Sequence, residues 1–323
     1  MIRRWCALLV TSSVVSSVPS FAQVEPGGTA PIIDMHLHAL PATWPAGRPA
    51  PNPVTGKTSA ATTDEAIMRA TLDALRRYNI VKAVTSGPLD YVDKWRAEAA
   101  DRIIAAPLFP SMVGDVTGYT TPFYPDIAML RRRHAEGRLG AIGEVTAQYA
   151  GLAPDDSALE PYFALAEELD IPVGFHTGTS FSRTPYTCCP RFRLRFGNPL
   201  LLEDVLVKHP KLRLYIMHGG EPWRTETIAL MRMYPQVYAD LAVIDWIVPR
   251  QRFHDYLKVM IAAGFGKRLM FGSDQMAWPE AIGMAIEGVE SADFLSEEQK
   301  RDIFYNNAAR FLRLAPLSGA MTQ

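Results

Sequence analysis

The sequence predicts an α/β fold: a (β/α)8, or TIM, barrel with extended loops on its C-terminal face and a C-terminal helical tail. Three observations carry that prediction. From residue 30 onward, eight short apolar runs alternate with amphipathic stretches. Most runs are rich in Val and Ile and nearly continuous in hydrophobicity, as strands covered on both faces are. No glycine-rich dinucleotide turn follows any run, which disfavours an open doubly wound sheet.

Composition is compatible with this fold and excludes others. The chain has 323 residues, 48% hydrophobic and 21% charged, which is ordinary globular usage and not that of a disordered, collagenous or coiled-coil protein. Its 33 basic and 34 acidic residues leave a net charge of −1. No basic excess is present to neutralise a phosphate backbone, so nucleic acid is not an expected partner. No apolar run approaches the length of a membrane span.

Taken in order, the chain begins with Arg3 and Arg4, continues through an apolar and small-residue stretch, and reaches Ser20-Phe21-Ala22. Those are the three regions of a secretory signal peptide, with small residues at the −3 and −1 places before Gln23. Cys6 lies too close to the N-terminus for a lipoprotein cleavage site. Residues 1–22 are therefore expected to be removed. Residues 23–323 are expected to form a single exported domain, periplasmic in a bacterium, with no membrane contact beyond the signal peptide.

The strands are expected at 32–35, 81–85, 103–108, 141–145, 171–175, 212–217, 237–242 and 269–271. The helices are expected at 63–78, 124–134, 158–169, 199–208, 222–233, 250–263 and 279–289, with a tail over 297–314. The first opens on Thr63-Asp64-Glu65 and carries Ile67, Ala70, Leu72 and Leu75 near a 3.6-residue period. Pro161 falls in the first turn of its helix, where a missing N–H does no harm. Two connections are too long for plain loops: 40–61 after the first strand and 178–198 after the fifth. Both leave the C-terminal ends of strands, where a barrel places its active site, and read as lids or substrate walls. The second holds adjacent Cys188 and Cys189. A bond between neighbours is strained, because their α-carbons lie closer than disulfides favour. Free thiols are the alternative.

Chemistry-bearing residues collect at strand ends. His36 and His38 sit two apart, so their side chains share one side of the first strand. Glu144 ends the fourth strand, His176 the fifth and His218 the sixth, and Asp274 follows the eighth. On a barrel all six groups converge at the C-terminal mouth. Imidazole nitrogens and carboxylate oxygens are ligands for divalent metals, zinc first, with manganese or iron as alternatives. Alone, a His-x-His pair is a weak signal, His218 could be a core hydrogen-bonder and Asp274 could cap a helix. Together the residues form a catalytic metal set with room for water. Arg193 and Arg195, with Arg191, could hold a substrate carboxylate or simply make a solvated basic loop. Tyr149, Trp223 and Trp278 follow strand-end motifs closely; they could line a substrate pocket or pack under loops. Asp240 ends the seventh strand as a supporting acid. His134, His209 and His254 read as structural.

Ile33-Asp34-Met35-His36-Leu37-His38, the strand-ending His176 and His218, Phe271-Gly272-Ser273-Asp274 and Asn306-Asn307-Ala308-Ala309-Arg310-Phe311-Leu312 resemble the amidohydrolase superfamily. The closest pattern is the amidohydrolase-related branch, which includes decarboxylases, and it covers about residues 30 to 314. The resemblance implies a metal held by His36, His38, His176 and Asp274. It implies that Asp274 also handles a proton from water, with His218 as a second-metal ligand or electrostatic helper. Glu144 departs from the mononuclear decarboxylase pattern and leaves open one metal ion or two. A divalent metal makes hydroxide accessible at neutral pH and polarises a carbonyl. Asp274 is placed to accept a proton and return it, and His218 to stabilise an oxyanion.

The expected function is metal-dependent hydrolysis of an amide, ester or lactone in a small molecule. Non-oxidative decarboxylation of a small carboxylic acid is the first alternative. A metal-free or non-catalytic small-molecule binding protein is the second. A homodimer is left open.

Overall fold

The structure, a computed structural model, describes residues 30–44, 47–110 and 123–315. The signal-peptide expectation falls outside the described residues. Among the described residues, eight strands follow one another in chain order: β1 (Ile32–His38), β2 (Ile80–Gly87), β3 (Ile103–Pro107), β4 (Ile142–Val145), β5 (Val173–Phe175), β6 (Leu214–Ile216), β7 (Val237–Asp240) and β8 (Leu269–Met270). Each pairs in parallel with the next, except at one seam. Among the described residues the ladder runs as two arcs, β1-β2-β3 and β4 to β8, rather than as one closed ladder. The seams are crossed by fewer bonds. Phe109 N–H donates to Glu144 O (3.1 Å) and Thr146 N–H to Phe109 O (2.8 Å) between β3 and β4. Met35 N–H donates to Phe271 O (2.9 Å) and Asp274 N–H to His36 O (2.7 Å) between β1 and β8.

The helices are α1 (Asp64–Arg77), α2 (Leu89–Glu98), α3 (Ile127–Ala135), α4 (Ala147–Ala150), α5 (Glu160–Leu169), α6 (Thr184–Thr187), α7 (Glu203–Lys208), α8 (Arg224–Met233), α9 (Arg250–Ala262), α10 (Ala281–Glu290), α11 (Glu297–Arg301) and α12 (Asn307–Phe311). Local chemistry sets their ends. The Thr63 hydroxyl accepts from Ala66 N–H at the start of α1, and acidic and basic residues occupy its first and last turns as the helix dipole favours. The expected start at 124 gives way to Ile127, because Asp126 caps α3 by accepting from Met129 N–H (2.7 Å). Helix α2 was not expected from sequence; it buries only Val92 and Trp95, too few apolar positions for a visible period. The expected tail is α11, a π-helical turn over Asp302–Asn306 and α12.

Two apolar layers follow from the strand pleat. Ile32, Ala83, Ile103, Ala105, Val173, Phe175, Leu214, Ile216, Val237 and Ala239 belong to the core between strands and helices. Ile33, Met35, Val84, Ala106, Ala141, Tyr215, Met217 and Met270 form a second cluster with Tyr305, Ala308 and Phe311. That cluster is the barrel interior, packed against the helical tail. The polar residues lie at the opposite, C-terminal strand ends.

Candidate metal centre

Strand β1 supplies two imidazoles because its pleat is irregular. Met35 packs in the interior and Leu37 in the outer core, so the two lie on different faces although they are two residues apart. The register with β2 shifts between Asp34 and Leu37. A bulge of this kind re-aims side chains, and here it turns His36 and His38 into the mouth. A second register shift on β4, between Ile142 and Val145, accompanies Glu144. Gly143 has φ +114, and a Cβ there would lie 2.3 Å from Gly174 O, so only glycine fits before Glu144. His218 and Asp274 adopt φ of 59° and 43°, a left-handed conformation that L-residues hold only where the surroundings enforce it.

The structure brings five of the six candidate ligands into two overlapping sets. His36, His38 and Asp274 form one and His36, Glu144 and His218 the other, with ligand atoms within 4.8 Å of one another in each. His36 Nε2 lies 3.2 Å from His38 Nε2. His38 Nε2 lies 3.1 Å from Asp274 Oδ1 and 3.4 Å from Glu144 Oε2. His218 Nε2 is 3.7 Å from Glu144 Oε1. All are buried. His176 stands at the edge: its Nε2 is 3.8 Å from Glu144 Oε1 and 3.4 Å from the Tyr149 hydroxyl, and its buried Nδ1 has no partner. It is in neither of the two tightest sets, but it faces the same Glu144 carboxylate as His218, and its ring lies 4.8 Å from that of His218.

The far nitrogens are held in place. His36 Nδ1 faces Asp240 Oδ2 (3.1 Å), His38 Nδ1 faces Ser86 Oγ (3.0 Å) and His218 Nδ1 faces Ala242 O (3.0 Å). With the proton on Nδ1, the Nε2 lone pairs point into the cluster. Asp274 Oδ1 is buried and accepts no hydrogen bond. Lone pairs and carboxylates that converge this way repel unless positive charge lies among them, and this donor set suits a divalent cation. The electrostatics agree. Burial disfavours charge on His36, yet Asp274, Asp240 and Glu144 hold its pKa well above the ordinary value. Burial likewise opposes ionisation of Glu144, but His218, His36 and His176 outweigh it and hold the carboxyl well below the usual range. Asp274 is lowered against burial by His36, His38 and His218. His218 is raised against burial, chiefly by Glu144. His176, with burial dominant, is pushed down to about 3.

Three supporting residues escaped sequence reasoning. Asp34 accepts from His36 N–H (2.9 Å), Ser273 N–H (3.0 Å) and the Ser273 hydroxyl (2.6 Å), tying β1 to the segment that carries Asp274. Gln275 accepts from His38 N–H (2.9 Å) and donates to His38 O (2.6 Å). Ser86 holds His38. Adjacency to the ligand motifs was the available signal for the first two; Ser86 had none.

The substrate candidates separate. Tyr149 stands edge-on to His176, ring centroids 5.0 Å apart. Trp278 is buried among Trp44, Phe181 and Trp246 and donates to Ala50 O (2.9 Å), joining both inserted loops from beneath. Trp223 is half-buried at the start of α8, its N–H bonded to Gly220 O (2.7 Å). Arg193 and Arg195 are exposed; Arg193 donates to Pro190 O and Phe192 O, and Arg195 lies over Phe196. Neither arginine touches the cluster among the described interactions. His134, His209 and His254 bond Leu139 O, the Glu160 and Glu167 carboxylates, and Gly288 O, away from the cluster.

Solved structures with this architecture are numerous. An uncharacterised TIM-barrel protein from Bordetella bronchiseptica is 18% identical with a TM-score of 0.64, over 88% of this chain and 99% of that one. A probable 2-pyrone-4,6-dicarboxylic acid hydrolase from Acinetobacter baumannii is 14% identical with a TM-score of 0.60, over 88% and 100%. A 5-carboxyvanillate decarboxylase from Novosphingobium aromaticivorans, complexed with manganese, is 16% identical with a TM-score of 0.52, over 75% and 79%. These likenesses show the TIM-barrel fold. Among curated proteins, Protein fluG of Emericella nidulans is 24% identical over an aligned length of 143, covering 39% of this chain but only 16% of that protein. The amidohydrolase family model matches residues 33–314, nearly all of the described chain, and the protein belongs to the amidohydrolase family.

Proposed function

We propose that the protein is a metal-dependent hydrolase that cleaves an ester, lactone or amide bond in a small molecule. The observation that carries this reading is the convergence of His36 Nε2, His38 Nε2 and the unpartnered Asp274 Oδ1, with Glu144 within 3.4 Å of His38. His36, His38 and Asp274 would hold one divalent cation; His36, Glu144 and His218 offer a second, overlapping set. Such a cation, zinc in this proposal, would bring the pKa of water down to about 7 and polarise a carbonyl. The chain does the rest. Asp274 Oδ1, buried and facing the cluster, can accept a proton and return it to a leaving group. His218, fixed by Ala242 O, presents Nε2 as a ligand or, when protonated, as a donor to developing negative charge. Glu144 adds a carboxylate held ionised by three imidazoles.

Metal content per purified chain tests the proposal. About two equivalents, falling to about one in Glu144→Ala, supports a Glu144-bridged hydrolase site. No metal after reconstitution overturns it. Asp274→Asn should lower turnover by at least ~100-fold with the fold intact; normal turnover would remove Asp274 from the proton-transfer role. Decarboxylation is the second reading, favoured by the likeness to the manganese-bound decarboxylase. A panel of lactones, esters and amides beside aromatic carboxylates, scored for released acid against carbon dioxide, separates the two. We propose export as well; N-terminal sequencing of secreted protein should begin at Gln23.

A further inference from the structure

Cys188 and Cys189 are joined by a disulfide in the connection after β5. No residue lies between them, so the bond closes no loop of chain and adds little to global stability in chain-entropy terms. What it fixes is the local course of the connection. Two separate routes lead from that point to Tyr149.

The first is polar. Cys189 N–H donates to Thr184 O (2.9 Å). The Thr184 hydroxyl lies 2.9 Å from Ser180 Oγ, and the Tyr149 hydroxyl donates to Ser180 Oγ (2.9 Å). The second is apolar. Phe192 N–H donates to Cys189 O (2.8 Å), and the Phe192 ring packs edge-on against Tyr149 with centroids 5.0 Å apart. Thr184, Cys189 and Phe192 are all buried. Tyr149 in turn stands against His176, its hydroxyl 3.4 Å from Nε2. A side chain gripped from both sides by one short segment follows that segment.

We propose that the Cys188–Cys189 disulfide is a redox-sensitive staple that positions Tyr149 at the metal centre, so that its reduction loosens the 178–198 connection and weakens turnover. Reduction breaks the Sγ–Sγ bond. Two electrons and two protons come from a dithiol, which becomes a disulfide, and two thiols remain. Adjacency keeps the two α-carbons 3.8 Å apart, below the span disulfides favour, which leaves the bond open to such exchange. Cys188 and Cys189 are positioning residues that act through Tyr149. The kinetic part of this inference rests on the hydrolase reading of the site.

The test compares the native protein, the dithiothreitol-reduced protein with its metal content restored, Cys188→Ser/Cys189→Ser, Tyr149→Phe and the triple variant. Thiol titration of protein beginning at Gln23, which lacks Cys6, should find no free thiol; free thiols there overturn the proposal. Loss of the bond should lower kcat/KM on the order of fivefold, at unchanged metal content, with recovery on reoxidation of the reduced protein. Tyr149→Phe should show a similar loss, to which the cysteine substitutions add nothing. Losses that multiply, or no loss, overturn the proposal. Amide exchange needs no substrate: protection at Tyr149, Cys189 and Arg193, whose N–H groups donate to Thr146 O, Thr184 O and Gln148 O, should fall on reduction while the barrel strands and the melting temperature hold. Unchanged exchange overturns the coupling, whereas increased exchange without detectable hydrolysis supports the staple and rejects only the hydrolase reading.

Discussion

Asp240 shows how much one side chain can set. Its Oδ2 fixes His36 Nδ1 at 3.1 Å, and its Oδ1 accepts from His218 N–H (2.7 Å) and Ala242 N–H (3.2 Å). One carboxylate therefore sets the tautomer of one candidate ligand and the backbone of another. In Asp240→Asn the amide oxygen can keep the two backbone donors, which turns the NH2 group toward His36 Nδ1. That nitrogen must then accept, and the proton moves to Nε2, where the metal should bind. We expect a ~10- to 100-fold loss of metal affinity, measured by competition with a chelator, and an equal affinity in the variant would refute the tautomer argument. Sequence marked Asp240 as a supporting acid by its place at a strand end. It could not say which imidazole the acid supports, because that contact spans β1 and β7.

Individual strands carry the site through their departures from ideal pleat. A regular β1 would place Met35 and Leu37 on one face, but the register shift separates them. The expectation that His36 and His38 share a side holds, and β1 extends through His38 rather than ending at Met35. On β4, Gly143 lets the chain turn Glu144 into the cluster. Gly143→Ala would drive a Cβ into Gly174 O on β5 at a φ that alanine resists. Thermal melts should show a destabilisation of about 2–3 kcal/mol together with reduced metal binding, since the strand must shift to relieve the contact. A melt unchanged from wild type would mean that the β4–β5 approach is looser than this. The long connections behave as elements too. Trp278, read from sequence either as a pocket wall or as packing, proves to be the post on which both insertions rest.

The molecule as a whole also buries an acid beyond the site. Asp245 is fully buried after β7, and neither carboxylate oxygen has a hydrogen-bond partner. Burial, with the nearby charges of Asp34 and Asp240 adding to it, raises its pKa well above 3.8. Below that ordinary value the carboxyl is protonated whether folded or not. As pH rises past it, the unfolded carboxyl loses its proton while the buried one keeps its own. The folded state then binds more protons, so stability falls with rising pH until the folded pKa is passed. Asp245→Asn removes this slope without changing the shape. Its melting temperature should exceed the wild-type value at pH 8 by ~3 °C or more and converge with it near pH 4. Parallel curves at all pH values would show that Asp245 ionises freely in the folded protein. The barrel as a whole also depends on distant chain: Tyr305, Ala308 and Phe311 from the tail pack the strand interior, and Asp34 and Ser273 hold the β1–β8 seam.

Sequence alone determined the order of strands and helices, because hydrophobic periodicity is local and each apolar run had to be covered on both faces. It also placed the chemistry at strand ends, since a parallel barrel sends all C-terminal ends to one mouth. It could not resolve α2, whose two buried residues make no period, nor the loose joins at the two seams. It left the neighbouring cysteines open between thiols and disulfide. Only the tertiary structure decided which groups meet. It drew His36, His38 and Asp274 together, set His176 between Glu144 and Tyr149, and left Arg193 and Arg195 in solvent. Those distances follow from strand register, left-handed backbone at His218 and Asp274, and hydrogen bonds between residues more than two hundred positions apart. None of these is a property of a local run of sequence. They are set when the first and last strands come side by side.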